Sequence, residues 1–233
     1  FIRYYEEDNT KVLPFVPDIT FINTKVSKGF KSFKANKLEE AIEVFRDVIY
    51  TVCLLAVDNE EDEEKAFEAL KLASQYILGL SIELTRRALP PTDIKRNLEL
   101  ASYFTKVKLL PAHRINALQV AMTQSFKAKN FVQASHFAEE LLSIVTSGPR
   151  AEQATKVKAK ADSIASDAQE IDFDPYGTFD ICPATYTPLY SDSPTAVDPL
   201  TGLKYKASEK GKIDSISLIS KIGAPASGLR IHL

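Results

Sequence analysis

The chain has 233 residues, 45% of them hydrophobic and 26% charged, and its 29 basic and 31 acidic residues leave a formal charge of −2. This is a globular composition with apolar material for one large or two small cores, and its near-neutral balance lacks the basic footprint of a nucleic-acid binder. No apolar run approaches the roughly 18 to 20 residues of a membrane-spanning helix, while two distant cysteines, Cys53 and Cys182, give no disulfide framework and fit a reducing, cytoplasmic compartment.

The first residue is Phe1 rather than Met, as expected of a piece of a longer protein. Residues 1–16, FIRYYEEDNTKVLPFV, place aromatic and branched residues on both sides of an Asp-Asn-Thr turn signal, which predicts a β-hairpin. Two strands alone are marginal in water, so this hairpin needs a surface to lie on, either its own helices or a partner. From residue 19 the apolar spacing is helical. Leu38, Ala41, Ile42, Phe45, Val48, Ile49, Val52 and Cys53 recur at intervals of three and four and mark one buried face, with Cys53 as a small core residue. Six of the seven residues from Asp58 to Glu64 are acidic. They read as a link and the first turn of the next helix, where carboxylates complement the helix dipole, in preference to a dock for a basic peptide.

Pro90, Pro91, Pro111, Gly148 and Pro149 punctuate the rest, since proline is tolerated in a first helical turn but not inside a helix. The pattern predicts seven helices, over 19–35, 37–57, 62–89, 93–109, 111–129, 131–146 and 150–169. One phrase occurs twice among them: SFKANKLEEA at 32–41 and SFKAKNFVQA at 125–134, a shift of 93 (125 − 32). The shift also lays Phe131, Ala134, Phe137, Ala138, Leu141, Leu142 and Val145 on the first apolar stripe almost position for position, with Ala138 where Phe45 stands. Each phrase is a helix end, a tight turn and a helix start. Gly29, Phe33, Ala41 and Phe45 stand at spacings close to those of a tetratricopeptide unit, but two steps over 93 residues make about 46 per step against about 34 for the standard unit. The expected fold is mainly α: a short, irregular, TPR-like α-solenoid of antiparallel helix pairs. Such a stack leaves broad faces for partners and favours a scaffold over a catalyst.

Residues 171–233 hold five of the eight glycines and six of the twelve prolines, which cannot continue a helical pattern. The expected organisation is an extended segment or β-hairpin over 1–18, a helical repeat-like body over 19–170, and a small β-rich tail over 171–233. No GxSxG, phosphate loop, HExxH or CxxC pair occurs, and His113, His136 and His232 have no partner at ligand spacing, so neither enzyme chemistry nor a cofactor is expected.

The tail reads FDICPATYTPLY at 179–190, VDPLTGLKY at 197–205 and a closing GLRIHL. It resembles the carboxy-terminal domain of the alpha-subunit family of coatomer, the COPI vesicle coat, whose tail carries an FDIC…TY.PIY signature and a final GLRI. KLEEAIEVFR (37–46), LLAVDN (54–59), YILGLSIE (76–83), ASYFT (101–105) and FKAKNFVQASHFAEELL (126–142) extend the resemblance over most of the chain. Relatives have CPLSGACY, which looks like a degenerate zinc-ribbon turn, where this chain runs from Asp198 to Tyr205. Cys182 is thereby left without a cysteine partner, and a zinc site needs about four N or S ligands, so the expectation is a metal-free fold. Packing of Ile181, Tyr186, Leu189, Tyr190, Leu203 and Tyr205 must then hold it.

The resemblance implies a non-catalytic coat component that forms a heterodimer with the epsilon subunit, meets other coatomer subunits in the full coat, and supports Golgi-to-endoplasmic-reticulum and intra-Golgi transport. It implies a cytoplasmic protein, peripheral on Golgi membranes and COPI vesicles, touching the membrane only through the coat. The alternative is a helical-repeat adaptor of another complex, of ciliary transport or ubiquitin-ligase type. Two groups of residues are candidate partner contacts: Ile2, Tyr4, Tyr5, Val12 and Leu13 on the opening hairpin, and Tyr186, Leu189, Tyr190, Leu203 and Tyr205 in the tail. The hairpin is preferred, because the tail residues have their own fold to hold.

Overall fold

A computed structural model describes residues 6–7, 10–11, 17–55, 57 and 59–225. Among them are seven α-helices: α1 (Ile19–Lys34), α2 (Leu38–Val52), α3 (Glu60–Ala88), α4 (Ile94–Lys106), α5 (Pro111–Lys127), α6 (Phe131–Ile144) and α7 (Pro149–Asp162). Each packs against the next, and α1 also touches α3 while α5 touches α7. Ahead of the helices β1 (Glu6–Glu7) pairs antiparallel with β2 (Thr10–Lys11), Glu6 opposite Lys11 and Glu7 opposite Thr10. Two short strands thus flank Asp8 and Asn9, with Thr10 in the second strand, and the rest of the expected hairpin lies outside the described residues.

The repeated phrase is a repeated structure. At the end of α1 the Lys37 N–H reaches the Ser32 carbonyl and the Asn36 N–H reaches Phe33, with Asn36 left-handed at φ 59°. At the end of α5 the Asn130 N–H reaches Ser125 and the Lys129 N–H reaches Phe126, with Lys129 at φ 62°. Both are Schellman ends, in which a left-handed residue turns the chain back and satisfies the last carbonyls. Asparagine adopts that conformation readily, whereas lysine does so less easily. Ala41 and Ala134 are fully buried at matching places in the second helix of each hairpin.

The core exchanges volume between the two copies. In the first hairpin Gly29 faces Phe45, and a Cβ on Gly29 would stand 2.7 Å from the ring. The shift of 93 puts Met122 at the place of Gly29 and Ala138 at the place of Phe45, all four buried. The first hairpin has its large residue on the second helix at this pair of places, and the second hairpin has it on the first helix.

Two helices end earlier than their apolar pattern predicts. At the end of α2, bonds from the Leu54 and Leu55 N–H groups to Thr51 and Val52 tighten the chain into a turn that buries Leu55. The stretch after α7 leaves the helix at left-handed Ala165 (φ 49°) because it has another task. The Asp167 carboxylate accepts the Val132 N–H at 2.8 Å, the Ser166 carbonyl accepts the Phe131 N–H, and the Asn130 amide holds Gln169 by both backbone groups. This loop therefore caps α6, whose own Asn130 gives no side-chain cap.

The tail carries β3 (Asp180–Ile181) paired with β4 (Pro188–Leu189), and β5 (Thr195–Val197) paired with β6 (Lys204–Lys206), both antiparallel. Cys182, Leu189, Ala196, Tyr205 and Ile222 form its own small core. Phe173, Ile181 and Ile216 instead join the helical core. Helix side chains also reach tail carbonyls: Arg46 to Ile216, Tyr50 to Ser217, Arg96 to Thr185 and Tyr186, Tyr103 to Asp172, and Lys106 to Pro175.

The volume exchange is testable by thermal melts. Gly29→Met alone overpacks against Phe45 and is expected to cost about 1–3 kcal/mol, and Phe45→Ala alone opens a cavity costing about 3–5 kcal/mol. The double variant, which copies the second hairpin, should lose clearly less than the sum of the two. Simple additivity would show that the two hairpins do not pack as equivalents.

Candidate partner-binding site

The opening-hairpin candidates Ile2, Tyr4, Tyr5, Val12 and Leu13 lie outside the described residues; the strands between them, β1 and β2, are described. The tail candidates divide by burial. Tyr205 and Leu189 are buried in the small core, so they hold the tail and offer no free surface to a partner. The Tyr205 hydroxyl donates to the Asp214 carboxylate, and burial, with this carboxylate beside it, pushes the phenol's pKa well up. Leu203 is half-buried between the two cores. Tyr186 is half-buried and left-handed (φ 49°), with its carbonyl held by Arg96. Tyr190 packs on Phe179 with ring centroids 5.4 Å apart and lines an open groove of about 540 Å³ between the tail and the end of α4. Two lysines of that groove are already engaged: Lys106 donates to the Pro175 carbonyl and Lys204 pairs with Asp180 at 2.8 Å.

Sequence reading missed a threefold pattern in the tail. Cys182, Asp198 and Asp214 are evenly spaced (198 − 182 = 214 − 198 = 16), and each opens the same turn. Its carbonyl accepts the N–H four residues on, from Tyr186, Gly202 or Leu218. Those three residues have positive φ of 49°, 70° and 63°. Three residues on from each opening residue stands a hydroxyl: Thr185, Thr201 and Ser217. The spacing is legible, but its residue types differ from copy to copy, which hides the repeat.

The opening side chains accept different donors. Asp198 takes the N–H of Leu200 and Thr201 together with the Thr201 hydroxyl, and Asp214 takes the N–H of Ile216 and Ser217. The Cys182 sulfur takes the Lys206 N–H at 3.4 Å. Ser220 joins the second and third turns by donating to Asp198 at 2.5 Å while standing 3.1 Å from the Ser217 hydroxyl. A zinc knuckle orients backbone N–H groups on thiolates that bind metal; here carboxylates accept those donors. Among the described residues no group of three His, Cys, Asp or Glu side chains converges as a ligand set.

Of the other polar candidates, the acidic run is a capped helix start: Asn59 accepts the Asp62 N–H, Glu60 to Glu63 occupy the first turn of α3, and Lys65 pairs with Glu61 and Asp62. Asp58 lies outside the described residues. Cys53, read as a core residue, is half-buried at the end of α2, where burial pushes its thiol up. His136 stands 3.1 Å from Glu140. His113 belongs to an aromatic cluster from four helices, its ring edge-on to Phe33 at 4.8 Å and Phe30 at 5.2 Å, its Nδ1 2.6 Å from the Tyr76 hydroxyl. Burial holds His113 below its ordinary value and pushes Tyr76 up to about 12.

Asp214→Ala leaves buried N–H groups without an acceptor, at about 1–3 kcal/mol, so the melting temperature should fall while a chelator leaves wild-type melting unchanged; stoichiometric zinc by elemental analysis would contradict the carboxylate-based fold. His113 gives a pH signature. Its folded pKa lies below its unfolded value of about 6.5, so the unfolded chain takes up its proton first and stability falls as pH drops below that value. In His113→Phe that part of the acid slope should vanish in melts recorded across pH.

The sequence profile that describes the C-terminus of the coatomer (COPI) alpha subunit matches residues 3–233. Coatomer subunit alpha of Saccharomyces cerevisiae is 59% identical over 235 residues, covering 100% of this chain and 20% of that protein. Coatomer subunit alpha-2 of Arabidopsis thaliana is 34% identical over 213 residues, 91% of this chain and 17% of that protein. Coatomer subunit alpha of Dictyostelium discoideum is 33% identical over 212 residues, 88% of this chain and 17% of that protein. The chain thus spans about a fifth or less of the length of these relatives. With nearly every residue inside the profile, the chain belongs to the family formed by the C-terminal part of the coatomer (COPI) alpha subunit.

Proposed function

We propose that the chain is a non-catalytic assembly module of the COPI coat, joining the epsilon subunit in a heterodimer and, with other coatomer subunits, supporting Golgi-to-endoplasmic-reticulum and intra-Golgi vesicle transport. In this reading residues 1–18 form the partner-facing hairpin segment, 19–170 the helical body and 171–233 the metal-free tail, and the protein works in the cytoplasm as a peripheral component of Golgi membranes and vesicles. Family membership supports the coat assignment. For the contact itself, the observation that carries the reading is the pairing of β1 with β2 ahead of the helices. A two-stranded ribbon is marginal alone and gains from a partner surface, and tyrosines are frequent anchors of such contacts. The helices and tail, by contrast, spend most of their large apolar side chains on their own cores.

Size-exclusion chromatography with and without the epsilon subunit tests the heterodimer. Tyr4→Ala with Tyr5→Ala should weaken epsilon binding by about thirtyfold or more, a hot-spot loss of about 2 kcal/mol, at an unchanged melting temperature. Tyr186→Ala with Tyr190→Ala should mainly lower the melting temperature. The reverse pattern moves the interface to the tail, and no effect on binding from either pair moves it to the helical faces.

A further inference from the structure

The third turn of the tail presents a feature that neither core uses. Ile213, Leu218 and Ile219 are 58%, 52% and 53% exposed, three large aliphatic side chains close together in sequence. They sit on a short hairpin: Gly211 donates to the Ile222 carbonyl, Ile222 to Lys212 and Asp214 to Ser220, with Ile213 bridged antiparallel to Lys221. The turn closing it is held from within by the Asp214 carboxylate and from behind by Arg46 and Tyr50 of α2 on the Ile216 and Ser217 carbonyls. Leu218 has a φ of 63°. For a bulky residue this is an unfavourable conformation, and it persists because the surrounding bonds fix it.

The collar of this tip is basic. Lys210, Lys212 and Lys221 are exposed on the two arms, with Lys210 packed beside Gly223. Between positions 204 and 221 the chain has five lysines against two acidic residues, and of the five Lys204 is paired with Asp180 and Lys212 with Glu209. Of those two acids, Asp214 is buried in its own hydrogen bonds and Glu209 pairs with Lys212 at 2.9 Å.

We propose that this tip, residues 210–221, docks on an anionic lipid surface, its aliphatic side chains entering the headgroup boundary and its lysines meeting the acidic phospholipids. Exposed aliphatic side chains on a hairpin that also carries exposed lysines have the chemistry of interfacial membrane contacts, where apolar burial and attraction to anionic lipid act together. Protein interfaces prefer a different set: tyrosine, tryptophan and arginine anchor them, and lysine is depleted. The tip's apolar residues are all aliphatic. It would give the chain a direct membrane contact beside the indirect one that the family resemblance implies.

Flotation of the full 233-residue chain with phosphatidylcholine vesicles containing about a third phosphatidylserine, against phosphatidylcholine alone, tests this. Binding to the anionic vesicles only, weakened by added salt, is the expected result. Leu218→Asn with Ile219→Ser removes the aliphatic point and should reduce binding at least about tenfold; asparagine accepts the left-handed conformation, so the turn should melt no lower than the parent. Lys221→Gln should cost about fivefold. Absence of vesicle binding, equal binding to neutral vesicles, or binding untouched by the double variant would each overturn the proposal. So would a double variant that still floats with anionic vesicles but no longer joins a coat subunit, since the tip would then be a protein contact.

Discussion

Outside helices and long ladders every buried backbone carbonyl must find a donor of its own, and the tail from Ile171 to Pro225 has only two- and three-residue strands to offer. The helices make up the shortfall. Arg46 and Tyr50 of α2 and Arg96, Tyr103 and Lys106 of α4 reach tail carbonyls with heads carried on long stems. Each such bond nets only about 1 kcal/mol, but a buried carbonyl left unpaired costs about 1–3. The set therefore selects one seating of the tail more than it glues it down. Once seated, Phe173, Ile181 and Ile216 enter the helical core, which lends a small segment the apolar burial it cannot supply alone.

The same economy runs through the helical part. After α7 the chain is not idle linker: Ser166 and Asp167 serve the first turn of α6, and Asn130, freed from capping, pins Gln169. At the far side, one aromatic cluster of Phe30, Phe33, Phe45, Tyr76 and His113 ties α1, α2, α3 and α5. The two hairpins thus meet through rings of the first and a histidine at the start of α5 in the second.

Local signals were legible in the sequence, and long-range ones were not. The seven helices follow from apolar spacing and from proline and glycine stops, and the two Schellman turns from the repeated phrase, because each is decided within a few residues. The ends of α2 and α7 were overshot because apolar spacing continues beyond them, while turn bonds at Leu54 and Leu55 and the distant donors of α6 decide the outcome. In the tail, Tyr205 and Leu189 looked as eligible for a partner as Tyr190 did, since alternation says nothing about which side of a two- or three-residue strand is covered. The three matching turns escaped notice because a thiol opens the first and carboxylates open the other two, and only the carboxylates accept N–H groups of their own turns.

The exchange of bulk between Gly29 with Phe45 and Met122 with Ala138 bears on how such a chain changes over generations. The two hairpins share the turn phrase SFKA, so a recombination event there could splice the first helix of one onto the second helix of the other. One product would set Met122 against Phe45 and be overfilled; its reciprocal would set Gly29 against Ala138 and be hollow. Single replacements meet the same barrier, because each step of the route passes through one of those two mismatched states. Likeness of fold here coexists with isolation of the two copies: each drifts only together with its own partner helix, as a pair of residues and not as one.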